Sequence, residues 1–284
     1  MQASQSPSSG QAPDLRNLPG PLVLVGAGKM GGALLDGWLR LGLDPARIAV
    51  IEPKPGPQVS ALAARGARLN PDLSALKDVA AIVIAVKPQM AAEVLPALAP
   101  MIGASTVVVS IMAGRTLQFL SATLKSASAL IRAMPNLPAS IGRGITVAVP
   151  LDAGNAQREI ADRLLAATGA VEWVEDETLL DAVTAVSGSG PAYVFLLAEA
   201  LAQAGAASGL PRHLAERLAR ETVAGAGELL HRSTLDAAAL RENVTSPGGT
   251  TAAALDVLMG QNGLVPLLKK AIAAATERSR KLAG

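Results

Sequence analysis

The sequence predicts a doubly wound parallel α/β sheet followed by an all-helical domain, and three observations support this class. Strand-like runs that are apolar throughout alternate with helix-like stretches from Pro21 to about Val174, as in a parallel sheet covered on both faces. A glycine-rich turn joins the first run to the first helix. After Val174 only Ala-rich segments with helically spaced leucines follow. We therefore expect a tail over residues 1–20, an α/β domain over 21–175 and a helical domain over 176–284.

The elements of the α/β domain follow one another in a regular order. The strand-like runs are LVLV at 22–25, RIAVI at 47–51, AAIVIAV at 80–86, TVVVS at 106–110, ALIRAM at 129–134, GITVAV at 144–149 and AVEWV at 170–174. The helix-like stretches are GALLDGWLRLG at 32–42, PQVSALAARG at 57–66, QMAAEVLPALA at 89–99, TLQFLSATL at 116–124 and NAQREIADRLLAATG at 155–169. This alternation predicts crossover connections between parallel strands.

Glycine and proline breaks divide the helical domain into separate helices. The breaks are SGSGP at 187–191, SGLP at 208–211, SPGGTT at 246–251 and GQNG at 260–263. The segment from Pro191 to Ser208 is apolar on nearly every face, more than one neighbouring helix would cover. We expect it to be buried against a second subunit, which makes this a dimerisation domain.

Composition limits the classes of function that the chain can serve. The 284 residues are half apolar, which allows a sizeable core, and the formal net charge is only +2 with 2% aromatic residues. We therefore expect no nucleic-acid partner. Cysteine is absent and the two histidines do not form an HExxH pattern, so we predict no metal site and no thiol nucleophile.

The first residues carry no recognisable targeting signal. Residues 1–20 are rich in Ser, Gln, Pro and Gly and lack the apolar core of a secretory signal, so we expect a disordered tail. The longest uninterrupted apolar run, VAAIVIAV at 79–86, is too short to span a bilayer. These features predict a cytoplasmic protein without a membrane partner.

Residues 26–31, GAGKMG, place a GxGxxG pattern directly between a strand and a helix. The first glycine permits the tight turn of a Rossmann-like fold, the second lets the backbone approach a pyrophosphate, and the third allows close helix–strand contact. The helix N-terminus then offers free N–H groups to the phosphates. The predicted cofactor-binding residues of this turn are Gly26, Ala27, Gly28, Lys29, Met30 and Gly31. The 21–175 domain is therefore predicted to bind a dinucleotide.

An acidic residue ends the next strand-like run and bears on the choice of dinucleotide. Glu52 lies about 20 residues beyond Gly31, where an acidic side chain usually meets the adenosine ribose. A carboxylate accepts hydrogen bonds from the ribose hydroxyls of NADH and repels the 2′-phosphate of NADPH. Lys54 partly offsets this charge, so the predicted preference for NADH over NADPH is modest.

Other motifs are less specific. AVKPQ at 85–89 and MPN at 134–136 follow strands and are expected to line the same cleft, although either could be an ordinary strand exit. The SxxK pattern at 74–77 has no companion motif, and SGSG at 187–190 is not a GxSxG elbow, so hydrolysis is not supported. SPGGTT at 246–251 precedes an apolar helix, an arrangement that suits either a bound carboxylate or a capped turn.

Taken together, the motifs GAGKMGGA, AVKPQ, RAMPN, DAVTAVSGSGPAY and SPGGTT closely resemble those of the pyrroline-5-carboxylate reductase family. The resemblance extends in order from about Pro21 to the C-terminus. It implies reduction of the cyclic imine 1-pyrroline-5-carboxylate to L-proline with NADPH or NADH, the last step of proline biosynthesis. It also implies a homodimer interlocked through the helical domain, and the family often forms larger rings of dimers.

The resemblance also implies roles for particular residues. Thr184 matches the threonine beside the imine nitrogen, and Glu177 matches an acidic residue close to the substrate pocket. A single helix would place these two, seven apart, on one face. The turn that binds the substrate carboxylate is matched by Ser246, Gly249, Thr250 and Thr251. Cofactor contacts beyond the glycine turn and Glu52 are matched by Ala85, Val86, Lys87, Pro88, Ala113 and Asn243.

Several questions stay open at the level of the sequence. Many family members carry a small polar residue in place of Glu52, which puts the usual NADPH preference in doubt. The proton for the imine nitrogen comes either with an iminium substrate or through a water chain. Two alternatives to this function are a related imine or β-hydroxyacid reductase and a non-catalytic dinucleotide sensor. A predicted carboxylate-binding turn argues against the sensor.

Overall fold

One eight-stranded sheet organises the first part of the chain in the computed structural model, which describes residues 14–283. The strands are β1 (Leu22–Val25), β2 (Ile48–Ile51), β3 (Arg68–Leu69), β4 (Ala81–Ile84), β5 (Val107–Ser110), β6 (Leu130–Met134), β7 (Gly144–Leu151) and β8 (Gly169–Trp173). Their order across the sheet is β3-β2-β1-β4-β5-β6-β7-β8. The order reverses between β1 and β4, the switch point beyond which a doubly wound sheet binds its ligand. The predicted Rossmann-like class is confirmed.

The sheet differs from the prediction at β7, because it is not parallel throughout. Strands β1 to β6 pair in parallel, but β7 runs antiparallel to β6, with Met134 opposite Val147. Only a short helical turn over Leu137–Ile141 connects β6 to β7. A parallel pairing needs a crossover of about a dozen residues or more, so the chain has to reverse here.

Helices cover both faces of the sheet. They are α1 (Lys29–Arg40), α2 (Pro57–Ala61), α3 (Ala91–Val94), α4 (Leu117–Thr123), α5 (Asn155–Leu165) and α6 (Leu179–Val183). Alternate residues of β1 enter different apolar clusters, Leu22 and Leu24 one and Val23 and Val25 the other, so both faces of the strand are buried. Helix α3 is shorter than predicted and continues as a tighter 3₁₀ helix over Leu95–Met101, where Pro96 lacks the N–H that the next α-helical hydrogen bond requires.

The predicted tail is wrong for the part that the structure describes. Leu15 and Leu18 are buried in the core of the α/β unit. The guanidinium of Arg47 donates hydrogen bonds to the carbonyl oxygens of Leu18 and Gly20, so the chain is fixed before β1 begins. Apolar burial and these bonds outweigh the polar composition that predicted disorder. Residues 1–13 of the predicted tail lie outside the described residues.

The chain divides into two units after Thr184, rather than after residue 175 as predicted. The first unit retains α6 because Leu180 is fully buried in its core. The chain from Ser279 onward also returns to this unit, where the Ser279 hydroxyl donates a 2.7 Å hydrogen bond to the carboxylate of Asp181. A boundary placed where the strand-like runs end does not take account of these contacts, which assign α6 and the residues from Ser279 onward to the first unit.

The second unit, Ala185–Arg278, is helical as predicted. After a π-helical turn over Thr184–Gly188 come α7 (Gly190–Ala207), α8 (Arg212–Arg232), α9 (Ala237–Asn243), α10 (Thr250–Leu258) and α11 (Leu264–Ala283). No strand occurs among the described residues after 175. Many large apolar side chains of α7 are exposed, Phe195 and Leu196 among them at 62% each.

Helical residues 179–207 meet the length and composition of a membrane span, the one stretch of the described chain that does. The π-helical turn and a proline at the second position of α7 interrupt this stretch. A helix that another protein chain covers has the same length and the same apolar composition.

Candidate functional site

Each glycine of the GAGKMG turn meets a different structural requirement. Gly26 adopts φ +92°, and a Cβ there would lie 2.8 Å from the carbonyl oxygen of Ala85. A Cβ on Gly31 would lie 2.1 Å from the carbonyl oxygen of Gly26, so strand and helix are in close contact. Gly28 has no described neighbour within 4 Å of its missing Cβ and faces open space. Because α1 has no side-chain N-cap, its first N–H groups are available to a phosphate.

These features fit a dinucleotide. A pyrophosphate needs a glycine backbone that it can approach, and the Gly28 position supplies one. It also needs hydrogen-bond donors, which the N-terminus of α1 supplies. The turn over residues 26–31 thus has the backbone shape and the free donors that a pyrophosphate requires.

The carboxylate of Glu52 lies against the glycine turn. Its Oε2 accepts a 3.0 Å hydrogen bond from the backbone N–H of Ala27, and its Oε1 accepts one of 3.0 Å from the N–H of Lys54. The side chain follows β2 directly, at the carboxyl end of the sheet. Its negative charge is thus fixed beside the turn before any ligand arrives.

The loops after β4 and β5 are joined by an arginine that the sequence analysis did not single out. Arg115 Nε donates a 3.0 Å hydrogen bond to the carbonyl oxygen of Pro88. Its guanidinium carbon lies 4.7 Å from the centre of the Phe119 ring, a cation–π contact. Arg115 therefore connects the loop that carries Ala113 to the AVKP loop at 85–88.

Glu177 does not share a helix with Thr184, so that prediction is wrong. It lies in the turn before α6, and its Oε1 accepts hydrogen bonds of 2.7 Å from Arg132 Nη1 and 2.8 Å from the N–H of Leu117. The carboxylate thereby neutralises a buried arginine of β6 and caps the first turn of α4. The neighbouring Asp176 is also bonded locally: Thr178 donates to it through its hydroxyl and its N–H, which lowers the pKa of that carboxyl.

We expect Glu177→Gln to lower the melting temperature, because it leaves the Arg132 guanidinium, whose side chain is 7% exposed, without a counter-charge. The loss is about 1.5 to 3 kcal/mol, the value of a hydrogen bond to a charged group. Thermal unfolding followed by circular dichroism measures it. A variant of normal melting temperature whose KM for substrate rises would instead place this carboxylate on the substrate.

Thr184 opens the π-helical turn, a local geometry that is frequent at functional sites. Its Oγ1 lies 2.7 Å from the carbonyl oxygen of Leu180. A carbonyl only accepts, so the hydroxyl proton is directed to Leu180 and the lone pairs of Oγ1 are left to accept another hydrogen bond. In the same turn the buried Oγ of Ser187 has no hydrogen-bond partner among the described residues.

The SPGGTT turn of the second unit ends in an uncapped helix. Gly248 adopts φ +70°, and the N–H of Gly249 donates a 3.0 Å hydrogen bond to the carbonyl of Ser246. Thr250 is the first residue of α10, and the N-cap Gly249 has no side chain to satisfy the N–H groups that follow. The first N–H groups of α10 are therefore open to a carboxylate, the first of the two alternatives from the sequence.

The candidate residues therefore form one set in each unit. In the first unit residues 26–31, Glu52, residues 85–88 and Ala113 all follow strands at the carboxyl edge of the sheet. In the second unit Asn243 ends α9 shortly before the SPGGTT turn. Within the described residues no group of His, Cys, Asp and Glu side chains could hold a metal ion.

Comparison with known proteins identifies the family. Residues 177–282 match the family model described as pyrroline-5-carboxylate reductase dimerisation, and residues 21–114 match the model described as NADP oxidoreductase, coenzyme F420-dependent. Pyrroline-5-carboxylate reductase of Pseudomonas aeruginosa is 38% identical over 265 residues, which cover 92% of this chain and 96% of that protein. The chain belongs to the pyrroline-5-carboxylate reductase family.

Other relatives and solved structures agree with this assignment. Pyrroline-5-carboxylate reductase of Synechocystis is 39% identical over 265 residues, covering 92% of this chain and 97% of that protein. The structure of the Coxiella burnetii pyrroline-5-carboxylate reductase matches with a TM-score of 0.86 at 33% identity, covering 94% of this chain and 99% of that one. The Plasmodium falciparum enzyme, solved with NADP bound, matches with a TM-score of 0.78 at 27% identity, covering 94% and 99%.

Proposed function

We propose that the chain reduces 1-pyrroline-5-carboxylate to L-proline by hydride transfer from NADPH or NADH. The observation that carries this proposal is the match over nearly the full length to curated reductases that are named for this substrate. The glycine turn in the first unit and the uncapped α10 in the second supply the two kinds of anion site that the reaction needs, one for a pyrophosphate and one for a carboxylate.

The protein binds and orients while the dinucleotide supplies the hydride when it is bound. The N-terminus of α1 holds the phosphates, and the loops at 85–88 and at Ala113 position the reactive end. Ser246, Gly249, Thr250 and Thr251 hold the substrate carboxylate through backbone N–H groups and hydroxyls. The described chain places no His or Cys in either set, so orientation and electrostatics, rather than a strong side-chain acid, account for the rate.

Thr184 then acts through an accepted hydrogen bond. Its hydroxyl proton is already engaged by the Leu180 carbonyl at 2.7 Å, so Oγ1 is suited to accept from an N–H group. The neutral imine has no such proton, whereas the iminium does. We therefore favour the iminium as the bound form of the substrate, which removes the need for a proton donor on the protein before hydride arrives.

NADH is proposed to serve at least as well as NADPH. The carboxylate of Glu52, held by the N–H groups of Ala27 and Lys54 at 3.0 Å each, places a negative charge where the adenosine ribose is expected. A 2′-phosphate at that position meets charge repulsion. The structure of the Plasmodium falciparum relative has NADP bound.

The helical unit is proposed to form a homodimer. Its large apolar side chains are exposed, with Val257 at 76% and Leu229 at 66%, and residues 177–282 match a family model described as a dimerisation domain. Burial of this surface in a second copy explains the apolar character of residues 179–207 without a membrane. A ring of dimers and a cytoplasmic location stay predictions.

An assay that follows both the dinucleotide and the product separates this function from its alternatives. On addition of 1-pyrroline-5-carboxylate the absorbance of the reduced nicotinamide falls, and an equal amount of L-proline forms. A related imine or β-hydroxyacid reductase would turn over its own substrate and leave this one unused. Dinucleotide binding without turnover of any of these substrates would indicate a sensor and overturn the proposal.

Substrate binding is tested at α10. We expect Thr251→Ala to raise the KM for 1-pyrroline-5-carboxylate about fivefold, because one hydroxyl donor to a carboxylate is lost, while kcat changes little. The dissociation constant of NADH, measured by calorimetry, serves as the internal control and stays constant. An equal loss of NADH affinity would place this turn at the cofactor instead.

A further inference from the structure

Asn70 forms two hydrogen bonds to the backbone of Glu52. Its Oδ1 accepts a 2.8 Å hydrogen bond from the N–H of Glu52, and its Nδ2 donates one of 2.9 Å to the carbonyl oxygen of the same residue. Only this orientation of the amide satisfies both partners. The side chain thus bonds Glu52 as a neighbouring strand would.

The position of Asn70 explains why a side chain makes these bonds. Strand β3 ends at Leu69, which pairs with Val50, and the N–H of Asn70 still donates a 2.8 Å bond to the carbonyl of Val50. Asn70 then turns with φ +45°, a left-handed conformation that asparagine tolerates better than most residues. The backbone leaves the sheet here, and the amide extends the hydrogen-bonded pairing to Glu52.

On its other side this stretch is held by the glycine turn. The N–H of Gly26 donates a 2.9 Å hydrogen bond to the carbonyl of Ile51, and the N–H of Ala27 donates to the carboxylate of Glu52. The hydrogen-bonded pairing of β2 therefore continues through Glu52 although this residue lies beyond that strand. With its backbone fixed on both sides, its carboxylate is directed to the turn rather than to solvent.

We propose that Asn70 is a positioning residue for dinucleotide selectivity, acting through Glu52. This inference rests on the proposed role of Glu52 as the residue that favours NADH over NADPH. Without the amide, Glu52 gains backbone freedom, its charge is no longer held beside the adenosine ribose, and discrimination against the 2′-phosphate weakens.

The test measures dissociation constants of NADH and NADPH by calorimetry for four proteins: wild type, Asn70→Gly, Glu52→Ser and the double variant. Glycine removes the amide and accepts the left-handed conformation, so backbone strain is not introduced. We expect Asn70→Gly to reduce the preference for NADH about three- to tenfold, the value of one or two oriented hydrogen bonds. In the Glu52→Ser background the same change has no further effect on the ratio.

A matched control and the melting temperature exclude a general effect. Asp152 also adopts a left-handed conformation, with φ +56°, and Asp152→Gly is expected to leave the ratio unchanged. A fall in melting temperature with an unchanged ratio makes Asn70 merely structural and overturns the proposal. An equal shift in both backgrounds shows that Asn70 acts on the dinucleotide directly, which also overturns it. If Glu52→Ser itself leaves the ratio unchanged, the proposed role of Glu52 is wrong and the role of Asn70 is overturned with it, whereas turnover of 1-pyrroline-5-carboxylate by the same protein still supports the reductase function.

Discussion

Thr184→Val is expected to lower kcat about ten- to a hundredfold, because valine keeps the shape of threonine and removes the oxygen that accepts from the substrate N–H. Because the positive charge on the nitrogen falls as hydride arrives, this hydrogen bond does not strengthen in the transition state. Its loss is expected to lower kcat because it leaves the C=N carbon misaligned with the hydride donor. Thr184→Ser keeps the oxygen and is expected to retain most activity. Steady-state kinetics with saturating NADH measures both variants.

A matched control separates chemistry from helix stability. Thr276 in α11 donates a 2.8 Å hydrogen bond to the carbonyl of Ile272, the same contact to the fourth preceding residue that Thr184 makes to Leu180. Thr276→Val therefore removes an equivalent helix contact and is expected to leave kcat unchanged. A Thr184→Val protein with the kcat of wild type and a lowered melting temperature would reduce Thr184 to a packing role.

Glu52→Ser is expected to shift the ratio of kcat/KM towards NADPH about ten- to a hundredfold. Removal of a charge that faces the 2′-phosphate at a half-buried site is worth about 1 to 3 kcal/mol. The hydrogen bonds from Ala27 and Lys54 show that this charge is fixed rather than mobile. Initial rates with each dinucleotide, at limiting concentration, give the ratio.

The control for Glu52→Ser is an acidic residue whose removal changes the net charge equally. Glu159 lies on the exposed side of α5, and Glu159→Ser is expected to leave the ratio as it is in wild type. The effect of Glu52 is also expected to weaken with added salt, since charge repulsion at a partly solvated site is screened. A kcat/KM ratio that changes neither in Glu52→Ser nor with added salt would show that Glu52 does not meet the ribose.

The sequence predicts most of the α/β elements well because the apolar runs of the central strands are buried on both faces, as in β1, β4 and β5. It misses β3, since two residues of which one is an exposed arginine give no apolar pattern. Because β3 is missed, the sequence also does not identify Asn70 as a polar residue at the carboxyl end of a strand. The antiparallel pairing of β7 with β6 can be predicted from the sequence, because the interval between ALIRAM and GITVAV is too short for a crossover helix.

The candidate site is predictable only where a motif fixes the backbone. The glycine turn and SPGGTT have the conformations that their glycines require, with positive φ at Gly26 and Gly248. The roles of side chains depend on partners far along the chain. Arg132 and Glu177 form an ion pair across 45 residues, and the one hint was a lone arginine in an otherwise apolar strand. Such a residue needs an acidic partner, but the sequence does not say which.

Isotope transfer tests the central claim most directly. NADH that carries deuterium at its transferable position is incubated with the protein and 1-pyrroline-5-carboxylate, and the product is analysed by mass spectrometry. We expect L-proline with one deuterium at the former imine carbon, formed in equal amount to the NADH consumed. Absence of proline, or proline whose new hydrogen comes from water, would contradict hydride transfer to this imine.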